Sequence, residues 1–220
     1  TDADGKTSGG NGAALYVGTN GVFNMYGGTI CENTAETSGA VYVSNAIFNM
    51  NGGTIRKNTT AGTGAGILLT GASTVMTMEG GQISDHEIES AAGAILLQSR
   101  ATLNMKGGKI TGNKASHGAG VYVSYTATMT MEGGEISGNE AKSGAGLYLL
   151  GSTATLTGGK ISGNRAKSSA GGIYATNFVR KATETREEQT YTAELNLAGV
   201  TVSGNTATGN GGGICVNKGT

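Results

Sequence analysis

The sequence predicts an all-β fold, a right-handed single-stranded parallel β-helix with three short strands in each coil of about 26 residues. Three observations predict this solenoid. Two short motifs recur along the chain, apolar and polar residues alternate within each repeat, and Gly, Asn, Ser and Thr separate the alternating runs. Self-similarity at a period of roughly 20 to 50 residues is typical of solenoids and repeat arrays.

The first motif is GGxISGN or a close variant, and its copies begin at positions 27, 52, 80, 107, 133, 158 and 199. The steps between copies are nearly equal except for the last, which is longer. The second motif is a short apolar string with a large residue at its centre. Its central residues are Tyr16, Tyr42, Leu68, Leu96, Tyr122, Tyr148, Tyr174 and Cys215. One copy of each motif therefore corresponds to one coil.

Three alternating runs occur in order within each repeat. In the repeat that begins near residue 118 they are VYV (121 to 123), MTM (129 to 131) and EIS (135 to 137). A period of two places successive side chains on opposite faces of a strand. The residues between the runs tolerate the tight and left-handed backbone conformations that corners need. Crossovers between parallel strands are nearly always right-handed, which predicts the hand of the coil.

The inward columns predict a core that exists only when coils stack. All seven Met residues fall at two inward positions of the second strand, and Ile or Val occupies the inward position of the third strand in every repeat. About five to six buried apolar side chains per coil, at roughly 1.5 to 3 kcal/mol each, offset the ordering cost once neighbouring coils cover them.

A polar column also points inward, and we interpret it as a ladder of amide hydrogen bonds that stabilises a corner rather than as a row that binds a ligand. One residue breaks the row, and because its coil is longer than the others we expect a local bulge there. The column consists of Asn33, Asn58, His86, Asn113, Asn139, Asn164 and Asn205.

Composition excludes several classes of protein and partner. The chain has 41 Gly and 0 Pro, which excludes collagen. Its formal charge is zero, with 15 basic and 15 acidic residues, so we expect no nucleic-acid partner and no membrane insertion by this segment. We expect one domain over 1–220, with a loop insertion at about 176–192. Because the repeat is cut at both ends, we also expect a fragment of a longer protein.

The residues that hydrolytic or metal chemistry needs are scarce, so we expect no catalytic residues, no metal site and no cofactor. Enzymes on this fold need clustered carboxylates beside basic residues, whereas Asp85 is the only Asp beyond residue 4. His86 and His117 are the only histidines and are predicted at different corners. Cys31 and Cys215 lie about seven coils apart, near 30 Å at about 4.8 Å per coil, which predicts two free thiols.

Two outward features are candidate binding surfaces. The first is the column of large apolar residues on the first strand, predicted to form an exposed stripe for protein or sugar, although it could equally be a ladder that favours strand pairing or a covered surface. The second is the insertion, which begins beside this stripe and could equally be a hairpin without a partner. The candidate ligand-binding residues are Tyr16, Tyr42, Tyr122, Tyr148, Tyr174, Phe178, Arg180 and Lys181.

The repeated ISGNxA, followed by a Gly-rich string and an apolar strand, resembles β-helical repeats of bacterial surface proteins. The chain is similar to polymorphic outer membrane protein repeats, whose GGAI-type and FxxN-type motifs have counterparts in GGGI (211 to 214) and ISGNEA (136 to 141). It also resembles the Gly-Thr-Asn-rich coils of large adhesin-like proteins of gut and oral bacteria. This resemblance implies display at the cell surface and adhesion.

We therefore expect a non-enzymatic bacterial β-helix, secreted or at the cell surface, that acts as the stalk of an adhesin and as its binding surface for host glycoprotein or glycan. One alternative is a polysaccharide lyase or hydrolase, which would need a groove with two or more carboxylates beside a Lys or Arg. A second alternative is an ice-binding solenoid, suggested by the outward Asn and Thr of the second strand.

Overall fold

The protein is a parallel β-solenoid of about six turns with about 26 residues per turn. The computed structural model describes residues 12–36, 38–60, 66–89, 92–183 and 185–218, and these residues form strands and turns without a helix. The first eleven residues of the predicted domain lie outside this description. The predicted all-β parallel solenoid with three principal strands per coil is confirmed.

The first sheet has eight parallel strands and carries the column centred on the tyrosines. The strands stack in register, so that Tyr122 lies between Leu96 and Tyr148 of the neighbouring coils. Its strands are Leu15–Val17, Val41–Ser44, Ile67–Thr70, Ile95–Gln98, Val121–Ser124, Leu147–Leu150, Ile173–Thr176 and Ile214–Asn217.

The second and third sheets have seven parallel strands each. The strands of the second sheet are Val22–Met25, Ile47–Met50, Val75–Met78, Thr102–Met105, Thr128–Met131, Thr153–Leu156 and Glu194–Leu197. Those of the third sheet are Thr29–Cys31, Thr54–Arg56, Gln82–Ser84, Lys109–Thr111, Glu135–Ser137, Lys160–Ser162 and Thr201–Ser203.

Short strands beyond the three predicted ones follow the third sheet in several coils. Thr34–Ala35 pairs with Thr59–Thr60, and Glu140–Ser143, Arg165–Ser169 and Thr206–Ala207 form a small parallel sheet. One pair of strands in the described residues is antiparallel: Phe178–Arg180 pairs with Gln189–Tyr191.

The core lies between the three sheets and contains the predicted columns. Met76 pairs with Phe48 on one side and Leu103 on the other, and all three side chains are fully buried. Leu197 keeps the same register but is 43% exposed, because no described strand of the second sheet follows it. Stacking of coils, rather than the single coil, therefore buries these apolar columns.

The corner between the second and third sheets requires glycine. Gly134 has a φ of 84°, which strains other residues. A Cβ there would stand 2.7 Å from the Cε of Met105 and 2.8 Å from the backbone of Gly107 in the preceding coil. The second glycine of the GG motif therefore lets successive corners stack at van der Waals distance.

The predicted amide ladder is confirmed. The Nδ2 of Asn139 donates to the Oδ1 of Asn164 at 2.9 Å and to the carbonyl oxygen of Ile110 at 3.1 Å. The backbone N–H of Asn139 donates to the same Oδ1 at 3.0 Å. The side-chain amides of Asn113 and Asn164 bond to the coils on both sides in the same way, which indicates a structural role for the column.

The prediction of a local bulge at His86 is wrong. Just before this residue Ser84 pairs with Thr111 of the next coil, and just after it Glu87 forms a bridge with Lys114. Both pairs join residues separated by the same distance along the chain, so the register does not change across the histidine. His86 therefore occupies the ladder position in register with its neighbours.

The extra length of that coil lies at an earlier corner. In the first sheet Leu69 pairs with Val43 of the preceding coil, and in the second sheet Met76 pairs with Phe48. The separation along the chain is larger by two residues in the second pair than in the first. The two additional residues therefore lie at the corner 71–74, between these two sheets and away from the amide ladder.

Candidate functional site

The column of tyrosines on the first sheet forms two stacks rather than one stripe. Tyr122 and Tyr148 stack with ring centroids 4.9 Å apart, and Tyr174 continues this stack at 5.1 Å. Tyr16 and Tyr42 form the second stack at 5.6 Å. The five predicted tyrosines therefore stand in the expected column, in two groups.

Between the two stacks the prediction of an exposed stripe is wrong. Leu68 and Leu96 are only 6% and 8% exposed, because Ala92 packs against them. Tyr42 and Tyr122 pack against the edges of this small cluster. The segment before the fourth strand of the first sheet thus covers the middle of the column.

The longer tyrosine stack is half-buried, and burial raises the pKa of two of its phenols. Burial, with a smaller contribution from Tyr174, raises the pKa of Tyr148 to about 12. Burial also raises the pKa of Tyr122, helped by Tyr148 and Tyr125. The ring of His117 meets that of Tyr148 edge-on at 5.2 Å, and burial, followed by the charge of Lys142, lowers the pKa of this histidine.

The insertion forms a hairpin that leaves the solenoid at the corner between the first and second sheets. The Oδ1 of Asn177 accepts a hydrogen bond from the backbone N–H of Ala193 at 2.9 Å, which closes the base of the hairpin. A Cβ on Gly151 would lie 2.7 Å from the Cβ of Tyr191 and 3.0 Å from that of Phe178. The hairpin therefore folds back over the corner of the preceding coil, where a glycine leaves room for it.

An aromatic cluster joins the hairpin to the solenoid. Phe178 stacks on Tyr125 with centroids 4.5 Å apart and an interplanar angle of 17°. Tyr191 lies 6.1 Å from Tyr125 and 6.0 Å from Phe178. Tyr125 is still 41% exposed, so the cluster presents an aromatic face to solvent.

A polar network holds Tyr191 in place. The Nη2 of Arg180 donates to the Oε1 of Gln189 at 2.7 Å, and the hydroxyl of Tyr191 donates to the same oxygen at 2.8 Å. The guanidinium carbon of Arg180 stands 5.8 Å from the centroid of Tyr191, within cation–π range. The Nε of Arg180 is buried without a hydrogen-bond partner in the described chain. Lys181 follows this strand and is exposed.

A cleft of about 550 Å³ opens beside the cluster and runs along the corner. Tyr125 and Tyr191 form its aromatic walls, and Arg100 is its charged residue. Its lining residues come from several successive coils and from the hairpin, and they are Asn45, Gly71, Ala72, Ser99, Arg100, Tyr125, Thr126 and Tyr191.

The structure thus brings Phe178 and Arg180 into one site with residues that the sequence interpretation missed, above all Tyr125 and Arg100. The signal for Tyr125 was present in the repeat. The same corner position holds Asn45, Gly71 and Gly151 in other coils, and among all copies only Tyr125 is aromatic. Tyr125 also follows closely on the strand Val121–Ser124, whose Tyr122 begins the longer tyrosine stack.

A charged groove of about 210 Å³ lies beside the short strands that follow the third sheet. Three of its lining residues are Glu87, Glu89 and Glu140. Lys114 pairs with Glu87 at 3.5 Å, and Lys167 pairs with Glu140 at 2.9 Å. The hydrogen bond from Lys167 lowers the pKa of Glu140, and the charges of the basic neighbours lower it further. Each lysine pairs with a carboxylate of a neighbouring coil, as in a cross-strand charge ladder.

The outward face of the second sheet is polar and hydrogen-bonded to itself. The Nδ2 of Asn49 donates to the Oδ1 of Asn24 at 2.8 Å, and the hydroxyl of Thr130 donates to the Oδ1 of Asn104 at 2.9 Å. The side chains suggested for ice binding therefore satisfy part of their hydrogen-bonding capacity along the solenoid axis.

Thiols and acidic clusters add no further candidate. Cys31 and Cys215 are free, as the sequence predicted. Within the described ranges no group of three or more His, Cys, Asp and Glu could hold a metal ion. No helix in the same ranges is long and apolar enough to span a membrane.

A protein-family model described as a right handed beta helix region matches residues 13–220. This match covers nearly the whole chain and agrees with the predicted right-handed coil. No curated protein and no solved structure matches the chain.

Proposed function

Because the chain belongs to the right-handed beta helix family, we propose that it is a non-enzymatic recognition scaffold, secreted by a bacterium or held at its surface. It acts as the stalk and binding surface of an adhesin for host glycan or glycoprotein. The observation that carries this proposal is the cleft with aromatic walls at the hairpin corner. Concave sites with aromatic walls and a few placed polar groups are typical of ligand pockets.

The chemistry of the cleft suits a sugar. An exposed aromatic face such as that of Tyr125 packs against the C–H face of a pyranose ring. Asn45, Thr126 and Arg100 offer an amide, a hydroxyl and a guanidinium at the edges of the cleft, which can bond to sugar hydroxyls. The ring positions are largely fixed before a ligand arrives, because Gln189 and Phe178 hold the two tyrosines. Such preorganisation lowers the entropic cost of binding.

The tyrosine stacks extend the same surface. Tyr122 lies three residues before Tyr125 and begins the stack that continues through Tyr148 and Tyr174. A glycan or a glycoprotein surface seated in the cleft would therefore meet further aromatic edges along the first sheet. The core below these surfaces supplies the rigid stalk.

A non-enzymatic role is supported by the state of the carboxylates in the charged groove. A general acid needs a raised pKa, whereas the basic neighbours of Glu140 lower its pKa and keep it ionised. Glu87 likewise pairs with Lys114. These groups are suited to holding neighbouring coils together.

Replacement of Tyr125 tests the proposal. We expect Tyr125→Ser to lower binding to the best ligand on a glycan array by tenfold or more, because the exposed aromatic face is lost. The matched control is Tyr26→Ser, which removes a tyrosine that is 77% exposed at a different corner. Binding that survives Tyr125→Ser unchanged, in a protein whose circular dichroism matches the parent, would remove the cleft from the proposal.

A further inference from the structure

We infer that the cleft selects a carboxylated sugar residue, with Arg100 as the group that pairs with the carboxylate. This inference rests on the proposed glycan-binding function and adds the chemical class of the ligand to it. Four features of the corner support it: the charge of the lining, the backbone of Arg100, the aromatic residues of the lining and the length of the cleft.

The lining of the cleft carries one charge, and it is positive. Among the described lining residues Arg100 is the only ionisable one besides the two tyrosines, and none is Asp or Glu. Arg100 is exposed and makes no ion pair with a described acidic residue. Its guanidinium therefore has its donors available, and a carboxylate is the group that fits them in two parallel hydrogen bonds.

The backbone at Arg100 is unusual for its sequence. Ser99 and Arg100 have φ values of 55° and 67°, and they are the only two consecutive non-glycine residues with positive φ in the described chain. The backbone N–H of Ala101 donates to the carbonyl oxygen of Gln98 at 3.1 Å and closes this tight turn. Turns with positive φ at both central positions prefer Asn and Gly. A residue in a backbone conformation that its residue type disfavours, such as Arg100 here, is expected more often at functional sites than elsewhere.

The aromatic residues that line the cleft with this turn suit the rest of the sugar. Tyr125 offers an exposed face, and Tyr191 is fixed through Gln189. A carboxylated pyranose with its charge on Arg100 would place its C–H face against one of these rings. The sugar ring and the carboxylate are then recognised by different residues. Arg100 sets the preference for acidic over neutral sugars, and Tyr125 contributes to the affinity for both.

The length of the cleft matches a short glycan. Its lining residues run from Asn45 through Gly71 and Arg100 to Thr126, which are corner residues of four successive coils. Three coil spacings of about 4.8 Å give a length of about 14 Å. A di- or trisaccharide that ends in an acidic sugar therefore fits along the solenoid axis.

The test compares acidic and neutral sugars on a set of single-residue variants. Isothermal titration calorimetry with sialyllactose, trigalacturonate and lactose would be run on the parent chain, Arg100→Gln, Arg100→Lys and Tyr125→Ser. Arg56→Gln is the charge-matched control, because Arg56 lies on the third sheet. The two acidic probes separate a sialylated host glycan from a uronic-acid polymer as the source of the carboxylate.

We expect the parent to bind one acidic probe at least tenfold more tightly than lactose. Arg100→Gln should lower that affinity about tenfold, as for loss of a charge-assisted hydrogen bond, and should lower the affinity for lactose far less, because the glutamine amide can still bond to sugar hydroxyls. Arg100→Lys should retain part of the acidic preference, and the affinity of the parent for the acidic probe should fall as salt rises. Arg56→Gln should resemble the parent.

Three results distinguish failure of this inference from failure of the proposed function. Equal acidic preference in Arg100→Gln and parent, together with loss of all binding in Tyr125→Ser, would overturn the role of Arg100 and keep the glycan site. Tighter binding of lactose than of both acidic probes by the parent would also overturn the inference. Unchanged binding of every probe by Tyr125→Ser would instead overturn the proposed function.

Discussion

His86 stands where the other coils of the ladder carry asparagine. It makes some of the hydrogen bonds that an asparagine makes there, but not all of them. Its backbone N–H donates to the Oδ1 of Asn113 at 3.0 Å, as an asparagine would in that position. Its Nδ1 lies 3.1 Å from both the backbone N–H and the carbonyl oxygen of Asn58. Either tautomer leaves Nε2 buried without a hydrogen-bond partner in the described chain, which costs about 1 to 3 kcal/mol for a buried polar group.

This arrangement predicts an acid-sensitive central coil. Burial lowers the pKa of His86, although bonds to Asn58 and Ile55 and the charge of Asp85 oppose the shift. Between this lowered pKa and the ordinary value, the unfolded chain therefore binds a proton at His86 that the folded chain does not. The contribution of His86 to stability is complete above its ordinary pKa of about 6.5 and is lost as the pH falls below that value.

We expect His86→Asn to restore the ladder, to raise the free energy of unfolding by about 1 kcal/mol at pH 7.5, and to reduce the loss of stability between pH 7 and pH 5. Chemical denaturation at both pH values measures these effects. His117→Asn is the control, because that histidine also has a lowered pKa but lies outside the ladder. A parent and a His86→Asn variant with the same pH dependence would contradict the account of His86.

At the scale of the element, the corners decide how closely coils stack. Gly28 and Gly134 occupy the same place in the GG motif and share a φ of 84°. They differ in surroundings, since nothing lies within 4 Å of a Cβ built on Gly28, whereas a Cβ on Gly134 meets the preceding coil. Alanine substitutions at these two glycines therefore separate the cost of backbone strain from the cost of a steric clash with the preceding coil.

We expect Gly28→Ala to destabilise the protein by about 1 kcal/mol, the cost of a left-handed alanine. Gly134→Ala should cost about 3 kcal/mol or more, because the methyl group also displaces the backbone of Gly107. Equilibrium unfolding in guanidinium chloride measures both values. An equal loss of unfolding free energy in the two variants would show that the close stacking of corners at Gly134 does not require glycine there.

The elements differ in how far the sequence predicts them. Inward columns such as that of Met76 and Ile83 follow from alternation within each strand and from the repeat of one motif per coil, and both are local properties of the chain. The burial of Leu68 and Leu96 does not follow, because Ala92 covers them from outside the strand. The same holds for the candidate site, since the stacking of Phe178 on Tyr125 depends on the direction in which the hairpin folds back.

At the scale of the whole molecule, the interior and exterior have separate roles. The Met, Ile and Asn columns fill the interior of the coil and hold successive coils together, so the outward corners and the hairpin are the surfaces that we propose for recognition. The hairpin folds back along the stacked corners, and its Tyr191 completes a cleft that four coils line together. We therefore propose that one corner of the solenoid, rather than the charged groove or a sheet face, takes the ligand.

A crystal structure of the protein, soaked with whichever of sialyllactose and trigalacturonate it binds more tightly, tests this proposal most directly. We expect density for the sugar in the corner cleft, with a ring against Tyr125 or Tyr191 and its carboxylate on Arg100. Density for the sugar in the charged groove beside Glu140, or over the outward face of the second sheet with the corner cleft empty, would contradict the account.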